Sequence, residues 1–274
     1  MDITLPALEK VLTDFVENDP RNAMAAHDGM RMYDAPLLGV ATADDEWFSR
    51  FTEPGIVGLC HMPPQEWLPG AQSVICWFLP FTKAVRDTNR PAGLPSEEWV
   101  SARIDGEVFN NALKIHVVNW LKGHGAAAVA PTVDKRFTVI NRVPNWSERH
   151  AAFVAGLGTF GLHRALITRK GTAGRLGSVI TALRLAPTPR PYTRFDEYCP
   201  FLTQQQAESI TGSGKPKCGA CMRRCPPGAI SADGKNHDIC SGFIDSEVLP
   251  LFAPRYGCAK CNVGVPCESG IPKV

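Results

Sequence analysis

The chain carries almost no excess charge: 29 basic against 27 acidic side chains leave a formal +2 over 274 residues. A protein that grips nucleic acid through phosphates shows a basic face or tail, so the bulk balance makes no case for such a partner. Long apolar runs are missing too. Residues 73–81, SVICWFLPF, form one of the longest, and that length suits a strand rather than a membrane span. The opening MDITLPALEK has neither a basic stretch nor an apolar one behind it, so no secretory signal is expected and a cytoplasmic setting is. Cysteine is scarce before residue 199, where only Cys60 and Cys76 occur. Acidic residues are absent between Glu148 and Asp196.

What is present is ordinary in bulk. Apolar residues make up 44% and charged residues 20%, with chain enough for one large domain or a medium one plus a small one. Thr4 can cap a helix over residues 4–18, where Leu8, Val11, Leu12 and Phe15 share a face. Residues 73–79 read as a buried strand. Ser96, followed by Glu97 and Glu98, opens a long helix with the stripe Phe109, Leu113, Val117, Trp120 and Leu121, ending near Gly123 or Gly125. Ser147 opens a shorter helix, and residues 165–168 and 176–185 read as strands. This alternation predicts an α/β or α+β layer domain. The proline-rich stretch 186–200 marks a boundary, dividing residues 1–186 from 187–274.

The second part holds eight of the ten cysteines. Cys218-x2-Cys221-x3-Cys225-Pro226 matches the end of the bacterial ferredoxin run C-x2-C-x2-C-x3-C-P, whose fourth cysteine serves the other cluster. Lys215 stands where the first ligand belongs and cannot serve, so Cys199 is its nearest replacement. A three-cysteine cluster with an open iron is the alternative. Cys240, Cys258, Cys261 and Cys267 form the second run. The crossover rule then predicts Cys199, Cys218, Cys221 and Cys267 for one [4Fe–4S] cluster and Cys225, Cys240, Cys258 and Cys261 for the other. Two four-cysteine zinc sites are the rival reading, and disulfides a weaker one in a reducing compartment. Cys76 lies in the apolar run and reads as core. Cys60 beside His61 invites a nucleophile–base reading but is more simply an ordinary residue.

Gly156-x-Gly158-x-x-Gly161 matches the dinucleotide fingerprint, which needs a strand before it, a helix after it and an acid about 20 residues on. A helix precedes it here and the acid is missing, so this motif is not expected to bind a nicotinamide or flavin. The same window is wholly basic in its charges: Arg149, Arg164, Arg169, Lys170, Arg175, Arg184, Arg190 and Arg194. It reads as a solvated face or as a pocket for a phosphate-bearing ligand. His150 and His163 read as structural.

Glu148-Arg149-His150 with AAFVAGLGTFG, then GTAGRLGSVITALRL, then the cysteine tail, resemble the epoxyqueuosine reductase family and, more remotely, the reductive dehalogenases. Residues 68–75 are similar to a further family segment, and the resemblance covers roughly residues 60–267. It implies a nitroreductase-like α/β domain binding base-off cobalamin, followed by a ferredoxin-like domain with two [4Fe–4S] clusters. Gly156, Gly158, Gly161, Gly171, Gly174 and Ser178 match family positions near the corrinoid. The implied activity is a reductase that passes electrons from the clusters to cobalt and cleaves a carbon–oxygen or carbon–halogen bond in a small organic substrate. A low-potential donor such as ferredoxin or flavodoxin would supply it. Where the family carries a proton-donating Asp, this chain has Asn141 or Arg142, neither a carboxylic acid. The two become candidates to hold or polarise an anionic substrate. The family's C-terminal helical repeat that engages tRNA does not follow Cys267, which argues against a tRNA substrate. Non-catalytic corrinoid binding, corrinoid reactivation and plain electron transfer are the competing functions.

Overall fold

The computed structural model describes residues 3–204 and 218–273. Lys215 lies outside them. Helix α1 spans Leu5–Asn18; Thr4 Oγ1 accepts from the Ala7 N–H, and Leu8, Leu12 and Val16 are buried. The central sheet has strands β1 (Leu37–Thr42), β2 (Ser73–Pro80), β3 (Ala128–Val129) and β4 (Gly174–Thr181) in the order β1-β2-β4-β3. Every pairing in it is antiparallel. The strand expected over 176–185 begins earlier and ends at Thr181. Its side-chain Oγ1 bonds the Ala127 carbonyl, and the chain then turns away.

Strand β2 is buried along its whole length because both faces of the sheet are covered. Ile75, Trp77 and Leu79 face one apolar cluster with α1 and the long helix α2 (Glu97–Gly123). Val74, Cys76 and Phe78 face the other, where Trp146 and helix α3 (Glu148–Val154) pack. Helix α2 starts where Ser96 Oγ accepts from the Trp99 N–H. It is pinned to the sheet by Asn110, which accepts from Trp77 Nε1 and donates to the Leu176 carbonyl, both at 2.9 Å. The chain is thus a mixed α/β fold of two helical layers around one sheet.

The cysteine-rich residues build a third apolar cluster, in which Cys199, Cys221, Cys261 and Cys267 lie with Phe201, Ile230 and Val265. Leu162 and Ile167 join it from the sheet side of the molecule. Polar anchors tie the cysteine-rich residues to the segment 89–91. Buried Asn89 donates to the Cys258 carbonyl at 3.0 Å, and buried Lys260 donates to the carbonyls of Asn89 and Pro91. Among the described residues no helix is long and apolar enough to cross a membrane.

Candidate functional site

A cavity of about 720 Å³ opens between α3 and the cysteine-rich residues. Trp47, Phe51, Phe153 and Phe160 give it an aromatic wall, and Arg50, Arg149 and Arg164 give it positive charge. Ala232–Gly234 and His237 close it from the cysteine-rich side, where Asp233 adds a carboxylate. A second cavity of about 330 Å³ lies against β4 and α2, lined by Phe78, Trp99, Arg103 and residues 172–176. Arg149 borders both. Its Nη1 donates to the Arg164 carbonyl at 2.5 Å, and burial first, then Arg164, lowers its pKa from the ordinary guanidinium value. Burial, followed by the charges of Arg149 and His61, pushes His150 down to about 3, so its imidazole is neutral; Ser147 Oγ lies 2.7 Å from its Nδ1.

The glycines expected near a corrinoid divide in two. Gly161 borders the larger cavity and Gly174 the smaller. Four of the five meet protein backbone: an added Cβ would lie 2.4 Å from the Pro189 carbonyl oxygen at Gly156, 2.0 Å from that of Ile167 at Gly158, 2.1 Å from that of Glu268 at Gly171 and 2.2 Å from that of Leu79 at Gly174. Ser178 is fully buried and accepts from Trp146 Nε1 at 2.9 Å. Gly156, Gly158, Gly171 and Ser178 line neither of these two cavities. The dinucleotide-like motif runs from a helix end into the short strand Gly158–Phe160, the reverse of the order that grips a pyrophosphate.

The basic window is dispersed rather than gathered. Arg149, Arg164 and Arg175 reach the cavities, whereas Lys170 bonds the Ala35 carbonyl, Arg184 bonds Gln72, Arg190 pairs with Asp45 and Arg194 with Asp196. Asn141 and Arg142 form the tip of an exposed hairpin, both with positive φ (49° and 65°), as a two-residue turn of this hand requires. Neither borders a cavity. Arg142 pairs with Asp238, next to His237 at the rim, because the turn projects its side chain outward. Trp47 and Arg50, whose guanidinium sits 4.1 Å from the Trp47 ring centroid, belong to no motif read from the sequence.

All ten cysteines are free. Burial pushes Cys221 up to about 12, and Cys199 and Cys218 beside it act in the same direction. Burial raises Cys267 as well, reinforced by Cys221, Cys199 and Cys218. Burial raises Cys258, with Lys260 opposing and Cys240 and Cys225 reinforcing. Cys261 rises to about 12 by burial, opposed by Lys235 and reinforced by Cys258, Cys221 and Cys225. Six of the thiols, Cys199, Cys218, Cys221, Cys225, Cys261 and Cys267, gather in one cluster, and Cys240 stands near enough to Cys258 to act on it. The Ala229 N–H points at Cys225 Sγ, 3.2 Å away. Among the described residues no three His, Cys, Asp or Glu side chains stand close enough to hold a single metal ion. Cys76 is core. Cys60 Sγ turns to the Val143 and Pro144 carbonyls, while His61 stacks on Trp146 with neither ring nitrogen hydrogen-bonded, so the two form no nucleophile–base pair.

No family model matches the chain. Among solved structures, a catabolic reductive dehalogenase superposes with a TM-score of 0.55 at 12% identity, covering 86% of this chain and 30% of that one. An epoxyqueuosine reductase solved with an epoxyqueuosine-modified tRNA-Tyr stem loop gives 0.50 at 17% identity, covering 97% of this chain and 67% of that one. The fold is the one these two groups of reductases share. In sequence, the chain is 27% identical over 238 residues to the epoxyqueuosine reductases of Escherichia coli strain K12 and Shigella dysenteriae serotype 1. The match takes in 81% of this chain and 53% of each relative, so the chain spans about half their length. It is a homologue of epoxyqueuosine reductase.

Proposed function

We propose that the chain is an iron–sulfur, cobalamin-dependent reductase that cleaves a carbon–oxygen or carbon–halogen bond in an organic substrate. Residues 1–186 would form the corrinoid and substrate part and residues 187–274 the cluster part. The observation that carries this reading is the grouping of the thiols. Cys199, Cys221, Cys261 and Cys267 share one buried cluster against which Cys218 and Cys225 pack, and Cys240 and Cys225 help raise the Cys258 thiol, beside an aromatic and basic cavity. The donor set fits the implied groups: eight unpaired soft thiols, largely buried, with N–H groups aimed at sulfur.

When bound, the clusters supply electrons singly and the cobalt supplies the reducing chemistry at the substrate. The protein's part is to bind and to exclude water. Arg50, Arg149 and Arg164 offer guanidinium donors to an anionic group on ligand or substrate. Trp47, Phe153 and Phe160 keep the wall dry and strengthen those contacts. Arg142 and Asn141, on the exposed hairpin whose Arg142 pairs with Asp238 beside the cavity-lining His237, would meet substrate on entry rather than hold it inside. The stem loop bound to the solved relative stands against setting tRNA aside, so modified tRNA belongs among the substrates tested.

The test is anaerobic reconstitution with iron, sulfide and cobalamin. About eight irons per chain and a base-off cobalt spectrum are expected. Zinc bound in place of iron overturns the reading. Cobalamin bound but never oxidised by any substrate turns the function to a corrinoid carrier.

A further inference from the structure

The turn Gly161–Arg164 has two sides. Gly161, Leu162 and Arg164 border the larger cavity, while His163 points the other way, into the cysteine cluster. Its Nε2 lies 3.4 Å from Cys267 Sγ, and the side chain is 3% exposed. The geometry points to His163 as the residue that sets the reduction potential of the cluster held by Cys267, by donating an Nε2–H hydrogen bond to that thiolate. The inference rests on the cluster assignment proposed above.

Three observations fix the donor. The Ala165 backbone N–H donates to His163 Nδ1 at 3.1 Å, so Nδ1 is the acceptor and the ring's single proton sits on Nε2, facing sulfur. The ring is pressed against the backbone: a Cβ at position 161 would lie 2.8 Å from Nε2 and 2.7 Å from Cε1, so only glycine leaves room. The turn itself is locked, with the Gly161 N–H bonding the Ala165 carbonyl at 2.9 Å and the Arg164 N–H bonding the Gly161 carbonyl at 2.8 Å. The last glycine of the dinucleotide-like motif is thereby explained by a histidine two residues on, with no nucleotide involved. An N–H group aimed at a cluster thiolate stabilises the more negative, reduced state, and burial strengthens the effect. His163 occupies the wall between that thiolate and the cavity, where it touches the chemistry only through the sulfur.

The test is an EPR-monitored redox titration of the reconstituted protein beside an iron count. With full iron, His163→Leu is expected to move the midpoint of one cluster downward, so that its reduced-to-oxidised ratio at a fixed poise falls roughly fivefold. His163→Gln, which restores an N–H, should recover most of the shift, and Gly161→Ala, which displaces the ring, should shift it the same way. An unchanged midpoint in His163→Leu at full iron overturns the inference and leaves the cluster reading standing. A wild-type chain that takes up no iron overturns both. Should His163→Leu fail to fold, 15N-histidine labelling of the unvaried protein decides: a 15N coupling to the reduced cluster supports the bond, and its absence overturns it.

Discussion

The Glu268 carboxylate meets the Arg86 guanidinium at 2.8 Å, and both side chains are largely buried (4% and 14% exposed). Arg90 reaches the same oxygen at 2.8 Å, and the Gly264 N–H bonds the other at 2.7 Å. The residue thus ties the helical turn after β2 to the loop that carries Cys267. Its backbone also lies where Gly171 leaves no room for a side chain. Glu268→Ala leaves the largely buried Arg86 guanidinium without its carboxylate, whereas half-exposed Arg90 keeps Asp87, and is expected to cost about 3 kcal/mol. Urea unfolding of the apoprotein checks this; a loss under about 1 kcal/mol would mean that water replaces the carboxylate.

His61 makes stability pH-dependent. Burial holds its pKa down at about 4, and neither ring nitrogen has a hydrogen-bond partner. The unfolded chain takes up a proton near the ordinary 6.5, so it binds more protons than the folded chain between those values. The stabilisation from His61 is complete above pH 6.5 and is lost as pH falls toward 4. The loss should reach about 3 kcal/mol. His61→Phe keeps a planar ring on Trp146 and removes the titration. Denaturation curves between pH 7 and 4 should flatten by that amount in the variant, and identical slopes would refute the assignment.

Cysteine substitutions separate ligands from core. Cys267→Ser and Cys258→Ser should each remove about four of roughly eight irons, because each strips one cluster. Cys76→Ser should leave iron unchanged while costing roughly 1–2 kcal/mol, since it buries a hydroxyl on the fully covered β2. Iron and acid-labile sulfide analysis gives the answer directly. Cys76→Ser losing iron as Cys267→Ser does would undo the assignment.

Much of this fold is legible in the sequence because its signals are local. Thr4 and Ser96 cap helices where their spacing says, and the run from Ser73 is a strand covered on both faces. Strand β1 escapes, since Gly39 interrupts a short apolar pattern; the glycine is there because the Ala155 carbonyl approaches to 2.4 Å of where its Cβ would be. The cysteines are near one another in sequence, whereas the cavity beside them is assembled from segments far apart in the chain, Trp47 and Arg50 with Arg149 and Asp233. Runs of one charge misled for the same reason. Arg184 and Arg190 share a window with Arg149 but point to Gln72 and Asp45. Only the folded chain shows that His163, which looked structural, faces a thiol.

Arg164 allows binding and stability to be tested apart. Its φ is +66°, a left-handed conformation that costs a residue with a Cβ about 1 kcal/mol relative to glycine. Arg164→Gly therefore should stabilise the fold by up to that amount while removing one of three guanidinium groups from the larger cavity. Affinity for cobalamin, followed by its visible spectrum during titration, should fall roughly tenfold, the worth of one charge-assisted hydrogen bond. Arg149→Ala should lower it similarly, with no gain in stability, because Arg149 makes its own bond to the Arg164 carbonyl. A tighter fold with weaker binding is an outcome that general damage to the protein cannot produce. If both variants bind cobalamin as the unvaried chain does, the corrinoid does not use this cavity, and the smaller one against β4 takes its place as the site to examine.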